Sequence, residues 1–210
     1  MEESRTKNSV RNAKTGAIVQ IVNKLMAFIV RTVFIKMLNT EYLGVNGLFI
    51  NILTMLSFTE LGIGTAIIFN MYKPIANNDR EKIKTLMRLY KKCYSIIGIV
   101  VIILGLGIIP FLKYIITDVP NISENIILIY ILFLFNTGSS YFFTYKKSII
   151  TAYQQQSVIN NVDSIVYFTR SIIEIIFLIL TRNYLVYLII EIFATLIENI
   201  ILAKIADKMF

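Results

Sequence analysis

Residues Cys93–Ile116 read CYSIIGIVVIILGLGIIPFLKYII, with no charged residue before Lys113. A run of about 20 such residues, rising 1.5 Å each as a helix, crosses a ~30 Å hydrocarbon core. Its flanks differ in character. Before it, after Pro74, lies a charged stretch in which Asn78 can cap a helix, Glu81 follows three residues later, and Ile83, Met87 and Tyr90 share a face. That pattern predicts an amphipathic interfacial helix over about 78–92 leading into the span. After it, Thr117 to Glu124 contains Pro120 and two acids but no basic residue, which predicts a turn.

Working outward, similar runs predict five further spans at about 16–38, 42–71, 125–143, 158–180 and 184–206. The second is long enough to tilt, and Gly44, Gly47, Gly62 and Gly64 would allow close helix approach or bending. Thr181-Arg182-Asn183 is so short a link that the last two spans are antiparallel neighbours. The predicted fold is therefore all-α, a polytopic membrane protein of six helices. In 210 residues, 56% hydrophobic against 16% charged leaves too little polar surface to cover a soluble globule, which agrees.

The basic residues orient these spans. On the inner side of an amino-terminus-in arrangement lie Arg5, Lys7, Arg11 and Lys14, then Lys73, Arg80, Lys82, Lys84, Arg88, Lys91 and Lys92, then Lys146 and Lys147, then Lys204 and Lys208. The outer side holds Lys36, Lys113 and Arg182. That asymmetry places both termini in the cytoplasm. It also accounts for the net charge of +8 without nucleic acid, for which no basic, aromatic-interleaved soluble domain is present. The basic amino terminus leads into a long run carrying Gln20, Lys24 and Arg31 and no small-residue cleavage site, so it reads as a retained helix rather than a signal peptide.

Much site chemistry is excluded. There is no histidine, so His-based zinc sites and Ser-His or Cys-His pairs are absent, and the single Cys93 cannot form an internal disulfide. Cys93 and the methionines read as packing residues, and Gln154-Gln155-Gln156 as a polar loop. A membrane glycosyltransferase or acyltransferase would need a metal-binding Asp pair or a His-Asp set, and neither is found. No enzyme activity, metal or cofactor is expected.

The informative residues are polar ones inside the spans, where a charge at the bilayer centre costs about 2.5–3.5 kcal/mol on insertion scales. Gln20, Lys24 and Arg31 share one face of the first span. Asn160, Asp163, Tyr167, Arg170 and Glu174 step by three and four along the fifth. Asn46, Ser57 and Glu60 lie at nearby angles on the second, and Glu191, Thr195 and Glu198 on the sixth. One reading is a water-filled cavity whose cations hold an anionic head group and whose acids bind coupling ions. The other is a set of buried helix contacts. Arg170 and Glu174, four residues apart, fit a structural ion pair. Lys24 and Arg31 have no acid within their own helix and fit the anion site, together with Gln20, although Glu60 would satisfy one of them. Glu60, Asp163, Glu191 and Glu198 stay open between cavity or coupling roles and packing.

Arg31-Thr32-Val33-Phe34-Ile35, Glu41-Tyr42-Leu43-Gly44-Val45-Asn46-Gly47-Leu48-Phe49, Phe58-Thr59-Glu60-Leu61-Gly62-Ile63-Gly64-Thr65-Ala66 and Met71-Tyr72-Lys73-Pro74 resemble the opening of bacterial O-antigen and capsule polysaccharide flippases. The likeness is specific over residues 25 to 95 and looser beyond. It implies the multidrug/oligosaccharidyl-lipid/polysaccharide exporter fold, with two six-helix lobes around a central cavity that opens to alternate sides as the lobes rock. The implied activity is flipping of undecaprenyl-pyrophosphate-linked sugar units across the bacterial cytoplasmic membrane. Intramembrane arginines of that family are thought to contact the anionic lipid, a role the likeness carries to Arg31 and extends to Lys24, while Glu60 matches a motif position without an assigned task. Drug or cation antiport by the same fold is the alternative transport reading. Six spans would be one lobe, so the expected partners are lipid-linked oligosaccharide, membrane lipid and a second lobe, either a missing carboxy-terminal half or another chain. A scaffold or truncated remnant is the remaining possibility.

Overall fold

The computed structural model describes the backbone of residues 2–57, 62–116 and 120–209, and side chains within them from Val19 onward. Every regular element among the described residues is a helix. The elements are α1 (Glu2–Met37), α2 (Thr40–Ser57), α3 (Ile63–Ala76), α4 (Arg80–Ile108), a 3-10 turn at Ile109–Phe111, α5 (Leu112–Ile115), α6 (Ile126–Ala152), α7 (Gln156–Thr181) and α8 (Tyr184–Asp207).

The caps explain several boundaries. Asn39 Oδ1 accepts from the backbone N–H of Glu41 at 2.9 Å and of Tyr42 at 3.2 Å, starting α2. Asn125 does the same for α6 through Ile127 and Leu128, and Asn183 for α8 through Leu185 and Val186. Before α4 the cap is Asp79, accepting from Lys82 N at 3.0 Å, not the predicted Asn78. Asn78 adopts a left-handed φ of 52° that ends α3, which moves the helix start on by one residue and leaves Glu81 to pair with Lys84 at 3.2 Å.

Three predicted elements have different extents. The span expected over 42–71 is two helices: Gly62, with φ 86°, cannot continue a right-handed helix and forms the N-cap of α3. The amphipathic segment expected over 78–92 and the span after it are one unbroken helix as far as Ile108, where Pro110 enters the 3-10 turn. The fourth span, expected to end near residue 143, continues to Ala152, so Lys146 and Lys147 lie within α6 and not in a loop.

By length and composition, four helical segments among the described residues can cross a membrane: Arg80–Ile115, α6, α7 and α8. The first, at 36 residues, is longer than the ~20 that the hydrocarbon needs, so part of it projects beyond. Large apolar side chains point outward around these helices, including Ile103, Tyr114, Ile165, Leu180 and Phe193. Such a surface belongs against lipid, not water. The chain is thus an all-helical membrane protein.

The helices pack around α6, which touches α2, α3, α4, α7 and α8, while α1 rests mainly on α7. Glycines permit the closest approach. A Cβ on Gly138 of α6 would sit 2.6 Å from Ile102, and one on Gly98 of α4 would sit 2.9 Å from the Tyr141 Cβ. Tyr130 then donates to the Gly105 carbonyl at 2.9 Å across the same seam. Gly44 and Gly47, by contrast, meet open space, so the approach predicted for them does not occur within this chain.

Two apolar cores form at opposite ends of the bundle. One gathers Val30, Phe34, Tyr42, Phe49, Tyr130, Leu178, Tyr184 and Tyr187. The other gathers Ile67, Met71, Ile83, Tyr94, Ile149, Ile159 and Leu202. Between them lies a polar belt: Asn23 of α1 donates to Ser164 of α7 at 3.3 Å, and Asn199 of α8 to Ser140 of α6 at 3.3 Å. Asp163 and Glu198 of the predicted stripes adjoin these residues in sequence and stand at the same level.

Candidate functional site in the polar belt

Because α1 packs on α7 whereas α2 packs on α4 and α6, a gap opens between the two groups. It forms a cleft of about 200 Å³ lined by Ala27, Val30, Arg31 and Phe34 of α1, Leu43 and Asn46 of α2, Tyr167, Arg170, Ser171 and Glu174 of α7, and Tyr187 of α8. Helical periodicity explains the membership. Residues 27, 30, 31 and 34 are successive neighbours on one side of α1, and 167, 170, 171 and 174 on one side of α7.

Arg170 is held from two helices. Its Nε lies 3.3 Å from Glu174 Oε1, and its Nη1 lies 3.5 Å from Glu191 Oε1 on α8. Its guanidinium also stands 5.4 Å from the centre of the Tyr167 ring, within cation–π reach. Glu174 is 1% exposed, so its charge depends on this arginine. Yet neither Arg170 Nε nor Glu174 Oε1 has hydrogen-bond alignment, and Asn46 Oδ1 and Ser171 Oγ in the same cleft are also buried without a partner.

Arg31 differs. It is exposed, lines the cleft and makes no ion pair with a described residue. Lys24 and Gln20 are also exposed on α1, toward its amino-terminal part, but do not line this cleft. Glu60, the residue considered as a partner for Arg31, lies outside the described residues.

The other acids meet cations from neighbouring helices that spacing alone could not supply. Glu191 faces Arg170, as above, and Glu198 Oε1 lies 2.7 Å from Lys147 Nζ on α6. Asp163 sits beside Glu198 and Lys147, forming a second polar cluster among α6, α7 and α8. Lys146, next to Lys147, pairs with Asp207 at 2.6 Å. Lys147 was hidden because α6 extends beyond its expected end. Ser171 was legible in principle: it stands four after Tyr167 and three before Glu174, on the predicted stripe. No group of three or more Cys, Asp or Glu among the described residues is arranged to hold a metal.

One end of the cleft is closed by aromatic rings. Phe34 meets Tyr184 and Tyr187 edge-on at 5.8 and 5.1 Å, and Tyr42 leans on Tyr184 at 5.0 Å. Tyr42 also bonds through its hydroxyl to Glu124 and, at 3.2 Å, to Ser123, while Glu41 accepts from the Asn121 N–H. The segment before α6 is thereby strapped to the start of α2.

Fold and site define a class, a helical membrane protein with a polar cleft let into the edge of an apolar core. No protein-family model, curated protein or solved structure matches the chain.

Proposed function

We propose that this chain is one lobe of a carrier that moves an anionic, lipid-linked oligosaccharide across a bacterial cytoplasmic membrane. The observation that carries the reading is Arg31: an exposed guanidinium without an ion pair among the described residues, lining a cleft that it shares with Val30, Phe34 and Tyr187 of the first apolar core. A cation left facing lipid is costly, whereas a phosphate or pyrophosphate would satisfy it bidentately. The acids of the belt do not favour a cation substrate in its place, since Glu174, Glu191 and Glu198 are already matched with Arg170 and Lys147.

In this reading α1 forms the first crossing and α2 with α3 the second, making six crossings with both termini inside. Gln20, Lys24 and Arg31 then face a shared aqueous cavity completed by a second six-helix lobe. The resemblance over residues 25 to 95 supplies undecaprenyl pyrophosphate as the lipid. The lobe binds and reorients its cargo without making or breaking covalent bonds.

The test is a titration of the purified full chain in lipid nanodiscs with undecaprenyl pyrophosphate. Arg31→Ala should weaken binding by about 10- to 100-fold, as expected for losing ~1.5–3 kcal/mol of charged hydrogen bonding. Equal affinity in wild type and variant would refute the anion site.

A further inference from the structure

Away from the cleft, the basic end of α4 continues without a break into a membrane-crossing segment. We propose that the face of α4 carrying Arg88, Lys91 and Lys92 holds one anionic phospholipid, its phosphate on those cations and an acyl chain along Ile96, Ile99, Ile103 and Leu106. The site depends only on the chain spanning a membrane, not on what the cleft carries.

Position along the helix sets the level. Between Lys92 and Lys113 lie about 20 residues without a charge, which at ~1.5 Å each match a ~30 Å hydrocarbon core. Lys92 therefore marks its edge. The head-group layer beyond adds roughly 5–8 Å on each side. Side chains lean toward a helix's amino terminus, which here points away from the hydrocarbon, so Lys91 and Lys92 reach up into that layer and Arg88, a turn further on, meets its rim. A separate helix lying flat over 78–92 would have held all its cations at one level. Unbroken, α4 instead lifts Arg80 and Lys82 roughly 15–18 Å from the hydrocarbon edge, beyond the head groups.

Helical spacing sets the face. Arg88 stands three and four residues before Lys91 and Lys92, so the three adjoin. Further steps of four, three, four and three from Lys92 lead through Ile96, Ile99 and Ile103 to Leu106, one continuous stripe. Every member is exposed, Ile96 and Ile103 at 61% each. The apolar part runs ~15 Å along the axis, the depth of one leaflet. Charge then selects the lipid. None of the three cations has an ion pair with a described residue, since Glu81 is taken by Lys84 and Asp79 caps the helix. A zwitterionic lipid brings a cation of its own to the phosphate, whereas an anionic one has net charge to offer.

A photoreactive benzophenone side chain at position 99 tests this in the full chain, in nanodiscs holding equal amounts of phosphatidylglycerol and phosphatidylcholine with identical acyl chains. Mass spectrometry of the photoproducts should show an excess of phosphatidylglycerol adducts of about fivefold or more, a discrimination that two or three cations at the surface can supply. Lys91→Gln combined with Lys92→Gln should bring the ratio to within about twofold of one. Arg80→Gln combined with Lys82→Gln removes the same charge and should leave the ratio unchanged. All four side chains are exposed, and thermal unfolding checks that both variants fold. Equal adducts in wild type would overturn the site. So would an equal loss in both variants, which would show a diffuse field in place of a defined site. Adducts to protein instead of lipid would mean that another polypeptide covers this face, and would overturn it as well.

Discussion

Arg170 stands between Glu174 and Glu191, so removing it would leave two carboxylates facing each other in the polar belt. Breaking a buried pair by deleting one partner costs about 3–5 kcal/mol. Arg170→Ala should therefore sharply lower folded yield and thermal midpoint, and adding Glu191→Gln should recover part of the loss. An unchanged midpoint in Arg170→Ala would show that charge compensation does not hold α7 to α8. Arg31 is predicted to behave oppositely, with folding intact and ligand affinity lost, because no described residue depends on it for neutralisation. The spacing of Arg170 and Glu174 announced their proximity, since i and i+4 residues meet on any helix. Glu191 and Lys147 could not be placed this way. Their partners lie on other helices, and one-dimensional periodicity says which face a residue occupies but not which helix lies opposite.

At the scale of elements, the α4–α6 seam depends on missing side chains. Gly138→Leu would drive a branched side chain into Ile102, already within 2.6 Å of a bare Cβ. Overpacking of this kind costs about 1–3 kcal/mol, and should appear as a lower thermal midpoint, whereas Gly44→Leu, which meets open space within the chain, should not shift it. The strap before α6 makes a second expectation. Tyr42→Phe removes the hydroxyl that bonds Ser123 and Glu124, and should speed cleavage after Glu124 by a glutamate-specific protease. An unchanged rate would mean that the Glu41–Asn121 contact suffices. Boundaries were legible where a side-chain cap marked them, as at Asn125 and Asn183. They were not where continuity depended on backbone conformation. Nothing in the hydropathy of 42–71 distinguishes a Gly62 that bends from one that packs, and the charged stretch of 80–92 gives no sign that its helix runs unbroken to Ile108.

For the whole molecule, the basic-residue asymmetry sets the proposed direction of the helices. In a Cys93→Ser background, Thr40→Cys should react with an impermeant maleimide from outside the cell and Asn78→Cys only after permeabilisation. The same side for both would mean that α2 and α3 together do not cross, leaving five crossings if both react from outside and four if both react only from inside. Composition made the membrane class plain from the outset, because apolar runs of bilayer length have few other uses. The cleft was only half visible: its α1 and α7 walls follow from spacing, while its existence depends on α1 leaning toward α7 and away from α2.

The most direct test of the cleft as an anionic-lipid site uses adjacent positions on α1. A photoreactive benzophenone side chain at position 27 would lie in the cleft, and one at position 28, where Phe28 is 71% exposed, would face away from it. With labelled undecaprenyl pyrophosphate added to membranes, position 27 should capture the label, Arg31→Ala should suppress that capture, and position 28 should take up bulk phospholipid in either background. Equal labelling at both positions, or labelling at 27 that survives Arg31→Ala, would contradict the account.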